Sequence, residues 1–250
     1  ERAGATGVMF GGQVLGISST TFVAGRLIER FGTEAGYLGA AAVVGSALLY
    51  LIFIREREGE RRVPWGKGEA HPRNVALQVE AWKPLLVNSA KAMIAPLSLL
   101  ALIVFLVRSM PSGVAEAYHP GLATSIGGWS QTEYTDMMSK AQFAVGLFAL
   151  TVGGWLVAKI GTQRSALSMC ILISLFAIGF GLARPFWSNA ALLTGYFWQL
   201  EFFATMISVA FIPIAMRLCD PRVAATQFTL YMAASNVGRP MGNSVAAAAD

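Results

Sequence analysis

Histidine and cysteine are nearly missing from this chain, with two of each in 250 residues, and charge is scarce at 13%. Each shortage excludes something. Cys170 lies inside an apolar run and Cys219 beside a basic turn, too few and too scattered for a disulfide framework or a thiolate metal site. His71 and His119 read as residues of separate loops with no metal-ligand spacing between them; a solvated His119 titrates near neutral pH. No metal and no cofactor is therefore expected. A soluble domain carries nearer a quarter of charged residues, so water is not the main solvent of this fold. An embedded enzyme needs paired carboxylates, a metal cluster or a nucleophile beside a base, and the sequence shows no such set, so no enzyme is expected.

What the chain does have is apolar length. Hydrophobic residues make up 55% of it, with 26 glycines and 15 phenylalanines, a mixture that suits close-packed helices in a lipid bilayer. A spanning helix needs about 20 mostly apolar residues, and seven segments come near that: 7–28, 35–54, 92–118, 137–158, 165–183, 190–216 and 223 to the end. The short corner 29–34 joins the first two into a hairpin. A polar interval, 55–91, carries the charge run Arg55 to Arg62 and then Pro64, Gly66, Gly68 and Pro72, and reads as an aqueous linker. The third segment holds Pro96, Arg108, Pro111 and Gly113, so a kink or partial unwinding is expected, as befits a helix lining a cavity. The sequence begins at Glu1 and stops at Asp250 within a helical pattern; both ends are expected to continue in a longer protein.

Basic residues set the expected orientation, because lysine and arginine gather in cytoplasmic loops. With the linker cytoplasmic, that side collects Arg2, the linker's cations, Lys159, Arg164, Arg217 and Arg222. The other side holds only Arg26, Arg30, Arg108, Lys140 and Arg184. The net charge of +5 follows from this bias, and no nucleic-acid partner is needed to explain it.

Small residues mark the first segment. Gly7, Gly11, Gly12 and Gly16 form two overlapping GxxxG spacings, which let helix backbones approach closely, either as a sliding interface or as static packing. Gln13, among them, faces a cavity or bonds a neighbouring helix. The run from Gly153 to Arg164 ends the fourth segment in a corner. Gly154 opens it, Lys159 places a cation at the helix C-terminus, Gly161 supplies the turn and Arg164 follows.

Intramembrane charge is the sharper signal, because a charged side chain at mid-bilayer costs several kcal/mol unless it meets water or a partner. Arg108, Glu201 and Arg239 qualify, and Gln199 lies beside Glu201. Glu201 sits halfway along its segment and is the leading candidate for a proton or solute site. The alternative is a structural ion pair with Arg108 or Arg239. Glu116, Tyr118, Glu133, Asp136 and Lys140 read as solvated groups around an outer loop and helix entry.

Several of these stretches resemble a known group. Residues 7–13 (Gly-Val-Met-Phe-Gly-Gly-Gln) and 25–32 (Gly-Arg-Leu-Ile-Glu-Arg-Phe-Gly) resemble the fifth helix of major facilitator transporters. The 153–164 corner is similar to their repeated loop motif, with Ala158 where that motif carries aspartate. Arg217 to Leu230, with Ala225-Thr226-Gln227-Phe228, and the following Gly238-Arg239 resemble AmpG-type muropeptide permeases and their acetyl-CoA transporter relatives, as does Gly59 to Trp65. Glu201 falls where that group carries a helix-ten glutamate. Between Arg108 and His119 the chain departs from the group's Lys-Leu-Gly-Asp pattern.

The resemblance implies an all-α membrane protein of the major facilitator fold, covering helices five to eleven of twelve. Residues 1–54 would end the N-terminal bundle, 55–91 would be the cytoplasmic linker and 92–250 would begin the C-terminal bundle. It further implies a monomeric carrier of the bacterial inner membrane, with the lipid bilayer, protons and an anionic solute such as an anhydromuropeptide as partners. The alternatives left open are another solute, such as a siderophore or an acyl-CoA, and a seven-helix receptor.

Overall fold

Proline and glycine punctuate the helices that make up nearly all of the described residues. The computed structural model describes residues 2–53, 59, 66, 68, 82–221 and 223–249. Among these every regular element is helical: α1 (Arg2–Phe31), α2 (Thr33–Phe53), α3 (Trp82–Ile94), α4 (Pro96–Gly121), α5 (Gln131–Phe148), α6 (Gly154–Ile160), α7 (Thr162–Leu182), α8 (Ala190–Leu218) and α9 (Ala224–Ala249). Apart from three glycines, residues 55–81 of the expected linker lie outside the described residues; α3 begins at Trp82, inside the interval assigned to that linker.

Five stretches are long and apolar enough to cross a membrane: Gly4–Phe31, Pro96–Ile126, Gln131–Ile160, Thr162–Leu182 and Ala190–Leu218. At a rise of about 1.5 Å per residue each reaches or exceeds a ~30 Å hydrocarbon core. Of the seven expected spans, α2 and α9 are not among these five. Asn236, Arg239 and Asn243 interrupt α9, whereas α2 is apolar from Leu38 to Phe53.

The break expected in the third span falls at Ala95, between α3 and α4. Ala95 is extended (φ −58°, ψ 137°) and Pro96 opens α4. A proline disfavours helical geometry in the residue before it, yet suits a first helical turn, where its missing N–H is no loss. Pro111 lies inside α4, which continues through it to Gly121. Two π-helical turns, Leu122–Ile126 and Ala149–Gly153, extend α4 and join α5 to α6.

The contacts divide the chain into two units, residues 23–87 and residues 1–22 with 88–250. In the first, Gly32 (φ 86°) ends α1 and turns the chain into α2. Gly36 and Gly39 of α2 then lie against Ile28 and Leu27 of α1.

In the second unit two helix contacts are built on glycine. The N-terminal part of α1 runs antiparallel to α5 and α6. A Cβ on Gly7 would lie 2.9 Å from Gly154, and one on Gly11 2.7 Å from the Leu150 Cα; Leu15 meets Gly146, and the Ser18 hydroxyl donates to the Ser139 carbonyl at 2.6 Å. The π-turn Ala149–Gly153 lies under this contact. By contrast α4 and α9 run parallel: Ser98 meets Gln227, Leu106 meets Gly238, Met110 meets Gly242, and the Tyr118 hydroxyl donates to the Ala246 carbonyl at 3.0 Å. Between lipid-facing helices such packing rests on dispersion and hydrogen bonds, because lipid already solvates apolar side chains. The core gathers on α8, where Leu193, Phe197, Met206, Val209, Ala210 and Ile212 are buried.

Candidate functional site

Glycine contacts decide where the arginine of α9 sits. Gly238 and Gly242 touch the carbonyls of Leu106 and Met110, and Gly113 of α4 touches the carbonyl of Arg239 itself. Backbone meets backbone at three successive places, which fixes the Arg239 Cα against α4. Its guanidinium then reaches the Glu116 carboxylate at 2.9 Å, with 56% of the arginine side chain and 50% of the glutamate exposed. Within a spanning helix, charges so exposed cannot face hydrocarbon cheaply. This side of the α4–α9 pair is therefore a polar face.

Glu201 comes to the same place from α8. It accepts a hydrogen bond from the Gln142 side chain of α5 and lies within electrostatic reach of Arg239, Glu116 and Tyr134. Helical spacing puts Phe197 and Ser208 on the same face of α8 as Glu201. Ser208, two turns along, accepts a hydrogen bond at 3.4 Å from an Nη of Arg108 on α4. The Arg108 guanidinium lies 5.3 Å and 5.8 Å from the ring centres of Phe211 and Phe105, cation–π geometry that keeps the charge without a counterion. Its Nε is buried with no hydrogen-bond partner. The structure thus brings together Arg108, Glu201 and Arg239. The ion pair considered for Glu201 is made by Glu116 instead.

The other candidates fall elsewhere. Gln199 precedes Glu201 by two residues, which turns the two side chains about 200° apart, and its amide oxygen is buried without a partner. Gln13 is exposed on α1, about 200° round from Gly11 and its contact with α5. Gly7 and Gly11 make that contact, whereas a Cβ on Gly12 or Gly16 would meet open space. Gly154 is buried beneath Gly7, Lys159 lies 5.0 Å over the ring of Trp155, Gly161 turns the chain with φ 97°, and Arg164 is exposed in the first turn of α7.

Two assignments are corrected. His119 is not in a loop: it is buried in α4, 3.5 Å from the Tyr196 hydroxyl, with its ring packed on Tyr196 and Phe197. Glu116 is not a loop carboxylate either, because α4 runs past it to Gly121. Glu133, by contrast, has a structural task. Its carboxylate accepts from the Ser130 N–H at 2.7 Å and its own N–H donates to the Ser130 hydroxyl at 3.1 Å, a capping box opening α5. Sequence reasoning missed Gln142 and Tyr134 as neighbours of Glu201. Both are polar groups in an otherwise apolar span, the same signal that singled out Glu201.

Long apolar helices packed through glycine, with charged side chains gathered on a polar face inside them, form the architecture of a solute carrier. The sequence model of the Major Facilitator Superfamily matches residues 1–243. The chain belongs to the Major Facilitator Superfamily. Neither an individual curated protein nor a solved structure matches it. It is accordingly part of a multi-pass membrane transporter. In this Major Facilitator Superfamily chain the polar face gathers two guanidinium groups and two carboxylates, those of Arg108, Arg239, Glu116 and Glu201.

Proposed function

We propose that this transporter is a secondary-active, proton-coupled importer of a polar or anionic solute, with an anhydromuropeptide the solute suggested by its AmpG-type resemblance. One observation carries the anionic reading. Among the described residues Arg108 is surrounded by a serine hydroxyl and two aromatic rings, with no carboxylate in contact. A guanidinium so placed is largely desolvated without a charged partner, the condition in which a carboxylate or phosphate fork is held most strongly.

Glu201 supports the proton reading. Its one direct polar contact among those described is neutral, Gln142, so a proton changes its charge without breaking an ion pair. A protonated Glu201 lowers the electrostatic cost of moving the loaded carrier between its two states. Arg239 would line the path. In this reading residues 1–54 belong to the N-terminal bundle, 92–250 to the C-terminal bundle, and the 55–91 linker is cytoplasmic. The carrier works as a monomer in a bacterial inner membrane. The small residues Gly7 and Gly11 supply the close helix contact along which the halves move.

The test is uptake of labelled anhydromuropeptide into vesicles carrying the full-length protein, with and without an imposed inward proton gradient. Gradient-dependent uptake is expected. No uptake by correctly inserted protein would overturn the muropeptide assignment and turn the search to a siderophore or an acyl-CoA.

A further inference from the structure

Arg239 and Glu116 stand in an unusual relation to the helices that carry them. The α4–α9 contact is backbone against backbone at Gly113, Gly238 and Gly242, and it is tied further by the Ser109 and Ser235 hydroxyls, 2.5 Å apart, and by the Tyr118 hydroxyl on the Ala246 carbonyl. These helices have no room to slide or separate without losing those contacts, so the frame that presents Glu116 to Arg239 is fixed. The side chains themselves are not: each is at least half exposed, and a single contact, Nη to Oε1 at 2.9 Å, joins them. A guanidinium has five N–H donors, and one contact leaves most of them available. A second anion arriving there would lie beside the Glu116 carboxylate, and like charges at such a separation repel strongly in a poorly screened site.

We propose that Glu116 is a built-in competitor for the anionic group of the solute: it occupies Arg239 in the unloaded carrier and swings away when a solute carboxylate takes its place. Glu116 is thus a specificity-determining residue. It sets a threshold that weak or singly hydrogen-bonding anions do not pass, whereas a bidentate carboxylate or phosphate does. Glu201, approaching from α8, does not compete in the same way, because Gln142 holds it. The inference rests on the anionic-solute reading above, and it has a readout that needs no solute.

The experiment uses the full-length protein, as wild type and as Glu116→Gln. Phenylglyoxal, which adds to guanidinium groups, is applied to the purified protein, and its attachment at Arg239 is followed by mass spectrometry of the peptide containing it. A partnered guanidinium reacts more slowly, so Glu116→Gln is expected to raise the rate at Arg239 about threefold, the scale of a half-exposed ion pair. Glu116→Asp, with a shorter reach, should fall between the two and serves if the glutamine variant does not fold. Equal rates in all three proteins would overturn the proposal.

The second arm is uptake of labelled anhydromuropeptide. Removing the competitor should lower KM about threefold or more without raising Vmax. An unchanged or raised KM in a variant that transports would also overturn the proposal. A wild type that takes up none of this probe sinks the muropeptide assignment alone, and protection of Arg239 from phenylglyoxal by a simple dicarboxylate or phosphate, stronger in Glu116→Gln than in wild type, then decides the competition; equal protection in both overturns it.

Discussion

Arg239 pairs with Glu116 across the α4–α9 contact at 2.9 Å, and this leaves Glu201, on the neighbouring α8, to the neutral side chain of Gln142. Two carboxylates thus share one polar face in different electrostatic situations. Glu116 has a cation in contact; Glu201 is balanced only at longer range. Separating a pair of acids by environment is how one of them becomes free to exchange a proton.

Glu201→Gln should therefore abolish the response of uptake to a proton gradient while preserving exchange of labelled for unlabelled solute across the same vesicles, because exchange needs solute binding and reorientation but no net proton movement. The measurement is uptake and counterflow in parallel. If exchange disappears together with gradient-driven uptake, Glu201 holds the solute or the fold rather than the proton.

Arg108→Lys retains the charge but loses the planar group that lies against Phe105 and Phe211. An ammonium cannot offer a carboxylate the bidentate fork, and its more strongly hydrated head is less suited to that aromatic surrounding. KM for an anionic solute should rise about tenfold, an effect of roughly 1.4 kcal/mol, with Vmax little changed. An unaltered KM would remove Arg108 from the solute path.

How much of this was legible beforehand depends on which physical signal each residue carries. Apolar length and buried charge are local properties of a sequence, so the helical membrane character, the polar corner at Gly161 and the prominence of Arg108, Glu201 and Arg239 were readable from the residues. Partnership is not local. Gln227 and Ser98 are 129 positions apart and Gly113 packs on Arg239 from another helix; nothing in a single sequence gives the register between α4 and α9. Glu116 was misread for a related reason: it lies two residues from the end of the 92–118 segment and groups with the outer loop, yet α4 continues to Gly121. Gly12 and Gly16 show the converse. Their spacing equals that of a contact pair, but which face of α1 meets α5 is decided by packing, and it is the face of Gly7 and Gly11.

Gly238→Ala should destabilise the transporter, whereas Gly12→Ala should not. A methyl at position 238 would run into the Leu106 carbonyl, and backbone on both sides prevents relief by side-chain rotation; at position 12 it meets nothing within 4 Å. Overpacking of this kind costs about 1–3 kcal/mol. Thermal unfolding in detergent should therefore show a lower Tm for Gly238→Ala and for Gly242→Ala, with Gly12→Ala at or slightly above wild type because alanine is the better helix former. Equal transitions for all three would mean that α4 and α9 are not packed this closely.

Gln227 presents the last case, a polar side chain only 2% exposed with every hydrogen-bonding group engaged in a single network. Its Nε2 donates to the Ser98 hydroxyl at 2.7 Å and to the Tyr231 hydroxyl at 2.9 Å, its Oε1 accepts from the Asp220 backbone N–H at 2.7 Å, and the Tyr231 hydroxyl in turn donates to Ser98 at 3.1 Å. One amide thereby joins α4, α9 and the turn entering α9. Gln227→Leu keeps much of the volume but removes three of these four hydrogen bonds from a buried site, leaving only Tyr231 to Ser98, at a cost of about 1–3 kcal/mol. Tyr231→Phe loses one hydroxyl and preserves the stacking of its ring on Phe105, 5.8 Å between centres, so it should cost less than half as much. The expected order of Tm in detergent is wild type, then Tyr231→Phe, then Gln227→Leu about 4 °C or more below wild type. If the leucine variant melted with the wild type, water would be reaching these groups and the turn at Asp220 would not be held by Gln227. If the phenylalanine variant fell furthest, the hydroxyl of Tyr231 rather than the amide of Gln227 would be the centre of the network.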